Sequence, residues 1–362
     1  MLLFVLVTLK ARLTTRIRVH LHLPSLCGLR WAVYGVHIHR FIYRHAAMAT
    51  YQAAKTQFVK VDGCTFAYRL LGLSNGIPLV FIPGFKQTMD HWDPALVNPL
   101  AAQRPVLLID NAGVGRSEGE IPDTYPAWAA HYTAVIKQIL GQNSKVDVLG
   151  YSMGGCVAQL MALNAPEQVR RLVLGGTTPS SGDGVKPSPD GKAFKRLKAA
   201  RTMEEERQAF LDGFFVQRSQ RSREAGEKAW ERIINNRCDA GEVRCEPVPP
   251  GPAHQQALAF VRFMDKKNAS QGSYERLRQL RLPVLIANGC NDLLLPTDNS
   301  ILMWKMLSSA DARLHLFPDS GHGFLSQYAD EFASLVNGFL GANSSGSDSG
   351  DGGSSSTRGS RL

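Results

Sequence analysis

Gly150-Tyr151-Ser152-Met153-Gly154 is the stretch on which the fold turns. It follows a run that reads as a buried strand, Lys145 to Leu149, and precedes one that reads as a helix, Gly155 to Asn164. The pattern G-x-S-x-G between strand and helix describes a sharp turn that lifts a serine hydroxyl off the edge of a sheet. A side chain in so tight a turn takes up strained backbone angles, and the residues two before and two after it come too close for anything but small ones. Gly150 and Gly154 meet that demand, and Ser152 becomes a candidate nucleophile.

Outward from this turn, short apolar runs alternate with helical periodicity. Ile77 to Ile82, Val106 to Ile109, Arg171 to Leu174, Pro283 to Ala287 and Arg313 to Phe317 read as strands. Leu96 to Ala102, Tyr125 to Leu140, Asp298 to Ser308 and Tyr328 to Leu340 read as helices. Such alternation implies a mostly parallel sheet with helices on both faces. Ahead of it, Gln57 to Val61 and Cys64 to Leu71 flank Asp62-Gly63, the signature of a β-hairpin. Asp110 to Ser117 carries two glycines after a strand but lacks the third glycine and helix start of a dinucleotide fingerprint, so it reads as a structural turn.

Between Thr178 and Leu280 the rhythm breaks. Gly, Ser and Pro are frequent up to Gly191, and then Lys192 to Val216, Ser222 to Asn235 and His254 to Lys266 are helical and highly charged, with no strand-like run. This predicts a helical cap at 178–280, set between core segments 48–177 and 281–341. The last residues, 342–362, are Gly/Ser/Asp-rich and have no means of burying a core.

A serine hydroxyl is a weak nucleophile unless a histidine removes its proton and a carboxylate orients that histidine. Of the histidines after residue 47, His322 stands out in Asp319-Ser320-Gly321-His322-Gly323-Phe324, just past a strand, where flanking glycines permit an exposed loop that lets the ring reach the turn. Asp292, after the strand at Val284 to Ala287, is the best-placed acid, because carboxyl ends of parallel strands face one crevice. Asp298 looks more like a helix cap and Asp147, inside the strand before Ser152, structural. For an oxyanion, Met153 at the helix start offers one backbone N–H and Phe85, after Gly84, a second.

Composition excludes several classes. The chain has 362 residues, 44% hydrophobic and 20% charged, as in an ordinary globular protein. Its formal charge is +10, but Lys10, Arg12, Arg16, Arg18, Arg30, Arg40 and Arg44 carry seven of those charges in an acid-free leader, and no basic stripe with interleaved aromatics follows. Nucleic acid is therefore not an expected partner. Leu2 to Leu9 is too short to span a bilayer, and its charges follow the apolar run, unlike those of a secretory signal. Residues 1–47 read either as a transit-like leader or as a gene-model artefact ahead of Met48. Six scattered cysteines make neither a disulfide framework nor a zinc-site spacing, and all six read as free thiols. No cofactor or metal is called for.

Pro83-Gly84-Phe85, the turn after Asp110, the G-x-S-x-G stretch, Asp292 and His322 occur in this order, and together they resemble the α/β-hydrolase fold family over about residues 58–341. The resemblance implies an α/β fold with a helical cap and a serine hydrolase acting on an ester or thioester of a moderately apolar acid. The serine sets the chain apart from relatives with a carboxylate nucleophile. Pro83 departs from the family, many of whose members have a histidine there that braces the loop. The same triad can also run carbon–carbon hydrolysis, perhydrolysis or acyl transfer, and the fold also serves ligand-binding proteins without turnover. Ser360-Arg361-Leu362 resembles the peroxisomal address, which implies an import receptor as partner and the peroxisome as compartment; cytoplasm, or mitochondrion for a genuine leader, is the alternative. With it, the chain is similar to peroxisomal hydrolases of filamentous fungi, including those of toxin biosynthesis.

Overall fold

The computed structural model describes residues 50–189, 191–236 and 241–342. The expectations for residues 1–47, Cys238 and Ser360-Arg361-Leu362 fall on residues outside them.

Asp62 and Gly63 both have positive φ, 48° and 84°, so the turn twists with its strands and joins β1 (Gln57–Val61) to β2 (Cys64–Gly72) as an antiparallel hairpin. Six further strands follow: β3 (Leu79–Ile82), β4 (Pro105–Ile109), β5 (Val146–Tyr151), β6 (Val169–Gly175), β7 (Val284–Gly289) and β8 (Ala312–Phe317). The sheet order is β1-β2-β4-β3-β5-β6-β7-β8; β2 runs antiparallel to β4, and every later pairing is parallel. Strands β3, β4, β5 and β7 are buried along their whole length, which is why they read as unbroken apolar runs.

Two apolar clusters lie one on each face of the sheet. Leu79, Phe81, Leu108, Leu149 and Leu285 belong to one, with α1 (Pro94–Ala101) and α10 (Ala329–Gly341) over them. Val80, Ile82, Leu107, Val148 and Ile286 belong to the other, beneath α2 (Tyr125–Leu140), α3 (Met153–Asn164) and α8 (Thr297–Met306). Neighbouring residues of one strand thus fall in opposite clusters, as the two-residue period of a strand requires.

Among the described residues, four α-helices lie between β6 and β7: α4 (Lys192–Ala199), α5 (Met203–Phe214), α6 (Gln220–Ile234) and α7 (Pro250–Phe263). The single helix expected from Lys192 to Val216 is two. It breaks at Ala200-Arg201-Thr202, where Thr202 Oγ1 accepts from the Glu205 N–H (3.2 Å) and Glu205 Oε2 accepts from the Thr202 N–H (3.1 Å), a reciprocal cap that starts a new helix. A short helix, α9 (Phe324–Gln327), precedes α10. Asp298 lies in the first turn of α8 and does not cap it; Pro296 occupies the cap position. Asp147 is fully buried and forms a two-pronged ion pair with Arg170 (2.8 and 2.6 Å), the structural place expected of it. Among the described residues, no helix is long and apolar enough to cross a membrane. Cys64, Cys156, Cys245 and Cys290 are free thiols.

Strand order positions the site. From β3 the chain goes to β4 on one side and then to β5 on the other, so the loops leaving β3 and β5 part at a topological switch point. Ile82 pairs with Gly150, which sets Gly84-Phe85 beside Ser152.

Candidate active site

The turn at Ser152 is built by close packing. Ser152 has φ 56° and ψ −122°, a conformation L-residues rarely adopt. A Cβ on Gly150 would stand 2.5 Å from the Gly154 carbonyl oxygen, and one on Gly154 would stand 2.1 Å from that of Ile82. Both positions admit glycine alone. Gly155, outside the motif, is under the same constraint, since a Cβ there would meet Thr177 Cβ at 2.5 Å. The strained turn is tied down at both ends: the Ser152 N–H donates to Gly175 O (2.9 Å), and Thr177 Oγ1 donates to Ser152 O (2.7 Å).

Asp292 and His322, thirty residues apart, come together. His322 Nδ1 lies 2.7 Å from Asp292 Oδ2, while Asp292 Oδ1 accepts from the N–H groups of Leu294 (2.8 Å) and Leu295 (2.9 Å). Both side chains are buried. The imidazole is wedged between the Tyr151 ring (4.9 Å between centroids) and the edge of Phe214 (5.0 Å). The Tyr151 hydroxyl donates to His322 O (2.8 Å), and burial, with Asp292 nearby, holds its pKa well above the ordinary tyrosine value, so it stays a donor. The other ring nitrogen, Nε2, is buried with no hydrogen-bond partner among the described residues, and His322 and Ser152 line the same cavity. An imidazole oriented through Nδ1, with Nε2 unoccupied beside a serine, is the arrangement of a general base.

The glycines around His322 serve a different purpose from the one expected. From Ser320 to Phe324 the loop is buried, and the ring is held between Tyr151 and Phe214. A Cβ on Gly321 would lie 2.7 Å from Phe214 O, and one on Gly323 2.7 Å from the Phe215 ring, while the Gly323 N–H donates to Phe214 O (2.8 Å). These glycines let the end of α5 press onto the histidine loop.

Phe85 follows Gly84, which packs against Ser152, and Met153 directly follows Ser152; both line the same cavity as the serine. Met153 opens α3, so its N–H has no intrahelical acceptor. Among the described residues nothing accepts from either the Phe85 or the Met153 N–H. A Cβ on Gly84 would meet Ser152 Cβ and Gln87 Oε1, each at 3.1 Å. Gln87 is a residue the sequence reading missed. Its Oε1 accepts from the Gly84 N–H (2.9 Å) and braces the loop where Pro83 cannot. No motif marks it; only a polar side chain three residues beyond Gly84 hints at the contact.

The shared cavity has a volume of about 390 Å³ and a mostly apolar wall that includes Phe85, Phe194, Leu197, Phe214 and Phe260. Among the described residues along it, the lysines are the exposed Lys186 and Lys195, and no carboxylate lines it. Among the described residues no group of three or more His, Cys, Asp or Glu is placed to hold a metal ion.

A doubly faced, mostly parallel sheet with a serine at the β5–α3 turn, and an acid and a histidine after β7 and β8, defines the class of protein. The family model described as alpha/beta hydrolase fold matches residues 77–327, and the chain belongs to that family and is an enzyme of it. It is similar to the 2-hydroxymuconate semialdehyde hydrolase of Pseudomonas sp. (strain CF600), at 28% identity over 73% of this chain and 87% of that one. The pimeloyl-[acyl-carrier protein] methyl ester esterase of Nitrosomonas europaea is 30% identical over 72% of this chain and 94% of its own. Among solved structures, an alpha/beta hydrolase fold protein from Chitinophaga pinensis superposes with a TM-score of 0.71 at 31% identity, covering 81% of this chain and 99% of that one.

Proposed function

We propose that the protein hydrolyses an ester or thioester of a moderately apolar acid through an acyl-enzyme on Ser152. The observation that supports this best is the buried, unpartnered Nε2 of His322, held by Asp292 through Nδ1 and sharing an apolar cavity with Ser152. Nε2 takes the hydroxyl proton as Ser152 Oγ adds to the carbonyl carbon. The N–H groups of Phe85 and Met153 receive the negative oxygen. The bond to the leaving alcohol or thiol then breaks and His322 returns the proton to it. Water repeats the sequence in reverse roles, releasing the acid and restoring the serine.

Ser152→Ala should lower turnover by roughly four to six orders of magnitude and abolish labelling by a fluorophosphonate probe, with the fold intact. A folded Ser152→Ala protein that keeps most of its esterase activity would refute the assignment. Carbon–carbon hydrolysis of an oxo-acid is the second reading. Its support is the likeness to a hydrolase named for 2-hydroxymuconate semialdehyde, a compound with no ester to cleave. A panel of acyl esters, acyl-CoA thioesters and a dienoic oxo-acid, assayed with wild type and Ser152→Ala, separates the two.

Ser360-Arg361-Leu362 supports a peroxisomal location, and through it a place in fungal secondary metabolism such as toxin biosynthesis. Deleting these three residues from a tagged protein should move it to the cytosol; a punctate pattern that survives the deletion counts against the address.

A further inference from the structure

A backbone N–H stabilises an oxyanion only where it is held in place beforehand. Phe85 sits in the loop after β3, which Gln87 braces from within and Lys86 ties to the helices between β6 and β7. Lys86 has φ 59°, in the left-handed region that a lysine enters only under constraint, and it is 6% exposed. Each of its polar groups is engaged by the segment between β6 and β7. Its N–H donates to Oε1 of Gln256 on α7 (2.9 Å), a side chain itself 1% exposed. Its carbonyl accepts from the Val248 N–H (3.2 Å). Its ammonium donates to the carbonyls of Ala200 (3.1 Å) and Leu197 (3.4 Å) at the C-terminal end of α4, and pairs with Glu206 on α5. The neighbouring Phe85 ring packs on Phe194 of α4, with centroids 4.9 Å apart. Three cap helices and the irregular segment at Val248 thus converge on two loop residues.

We infer that Lys86 is a positioning residue: through it the docked cap sets the direction of the Phe85 N–H, so that oxyanion stabilisation depends on the cap being closed. A lysine ammonium out of water is costly unless paired, so loss of Glu206 or its displacement with the cap drives the Lys86 side chain outward. Loss of Glu206 leaves the left-handed turn at Lys86 to the Gln256 and Val248 bonds, and displacement of the cap removes those as well, so in either case the adjoining N–H is less firmly kept in line. The cap is in this way both a wall of the substrate cavity and a switch for the chemistry beneath it. The inference rests on the serine-hydrolase reading, with Phe85 as an oxyanion donor.

The test measures Lys86→Met, Glu206→Gln, the double variant and the conservative Lys86→Arg with p-nitrophenyl acetate, an ester too short to need the cap wall, and follows fluorophosphonate labelling and thermal unfolding. An interaction made only in the transition state acts on kcat. Expected, therefore, is a fall in kcat of about 10- to 100-fold for Lys86→Met and Glu206→Gln with KM changed less than about threefold. The double variant should be no slower than the slower single, and Lys86→Arg should recover part of the loss. Unchanged kcat with a raised KM would overturn the inference, as would losses that multiply in the double variant in step with lost melting temperature. If Lys86→Met does not fold, Glu206→Gln decides alone, since it removes only the charge. Wild type and Ser152→Ala run beside them: absent labelling of wild type defeats the serine-hydrolase reading, whereas Ser152-dependent labelling at an unchanged rate in Glu206→Gln defeats only the role of Lys86.

Discussion

Replacing Asp292 by asparagine alters a few atoms and reverses a proton. In the native site Oδ1 faces two donors, the N–H groups of Leu294 and Leu295, and Oδ2 faces Nδ1 of His322. An asparagine must keep its single oxygen toward the two N–H groups, because turning it would set three donors against one another in a buried site. Its NH2 then points at Nδ1, which has to become the acceptor. The proton of the neutral ring moves to Nε2, the nitrogen that should accept from Ser152. Shape, burial and the two backbone hydrogen bonds all survive, so the fold should be preserved and the chemistry lost. The same exchange in a serine protease triad lowers kcat by about four orders of magnitude. Here a fall in kcat/KM of about 10³–10⁴ is expected, or about 4–5.5 kcal/mol of transition-state stabilisation. Asp292→Ala is the control: it leaves the Leu294 and Leu295 N–H groups without their acceptor, at about 1–3 kcal/mol, and should lower the melting temperature where Asp292→Asn does not. Steady-state hydrolysis of a p-nitrophenyl ester, with thermal unfolding of each variant, makes the comparison. A folded Asp292→Asn enzyme within tenfold of wild type would refute the tautomer argument.

Gly154→Ala places a methyl group 2.1 Å from one backbone carbonyl and 2.5 Å from the next, so it should destabilise by about 3 kcal/mol or more and abolish activity, whereas Gly338→Ala on the open face of α10 should stabilise by about 0.5–1 kcal/mol; thermal melts of the pair check both signs. Burial pushes the Asp110 carboxyl up to about 6 against the pull of the Met89 and Arg116 N–H groups, and burial beside Arg244 lowers His91 to about 3. The stability Asp110 contributes is thus full below its unfolded value near 4 and lost as pH rises through 6, while that of His91 is full above 6.5 and lost on acidification, so the two oppose each other between pH 4 and 6. As pH rises across that window, Asp110→Asn should be spared the loss that wild type suffers from this group, so its stability should fall about 1.4 kcal/mol per pH unit less steeply than wild type in urea titrations, and an unchanged slope would show that Asp110 does not titrate there. Lys195→Glu should lower kcat/KM for the half-ester of a dicarboxylic acid about fivefold relative to a neutral ester of equal length at low salt, and equal effects on both esters would show that the lysine does not sense substrate charge.

The amino-acid sequence by itself determined the elbow, the strand–helix alternation and the chain order Ser152, Asp292, His322. Each is a local matter: a tight turn that tolerates no Cβ at two fixed offsets, strands buried on both faces, and loops at the carboxyl ends of parallel strands. The division of Lys192 to Val216 into two helices was not read from the sequence, although the Thr202 and Glu205 spacing of a reciprocal cap marks it. Only the tertiary structure decided what braces the site. Gln87 replaces the support that Pro83 cannot give, Gly155 makes room for Thr177, and Gly321 and Gly323 admit the end of α5. Lys86 reaches Gln256 across 170 residues of chain and Glu206 across 120. Contacts at such separations leave no periodicity or spacing to read, because the partner of a loop residue is fixed by how the helices between β6 and β7 pack on it and not by what its neighbours are.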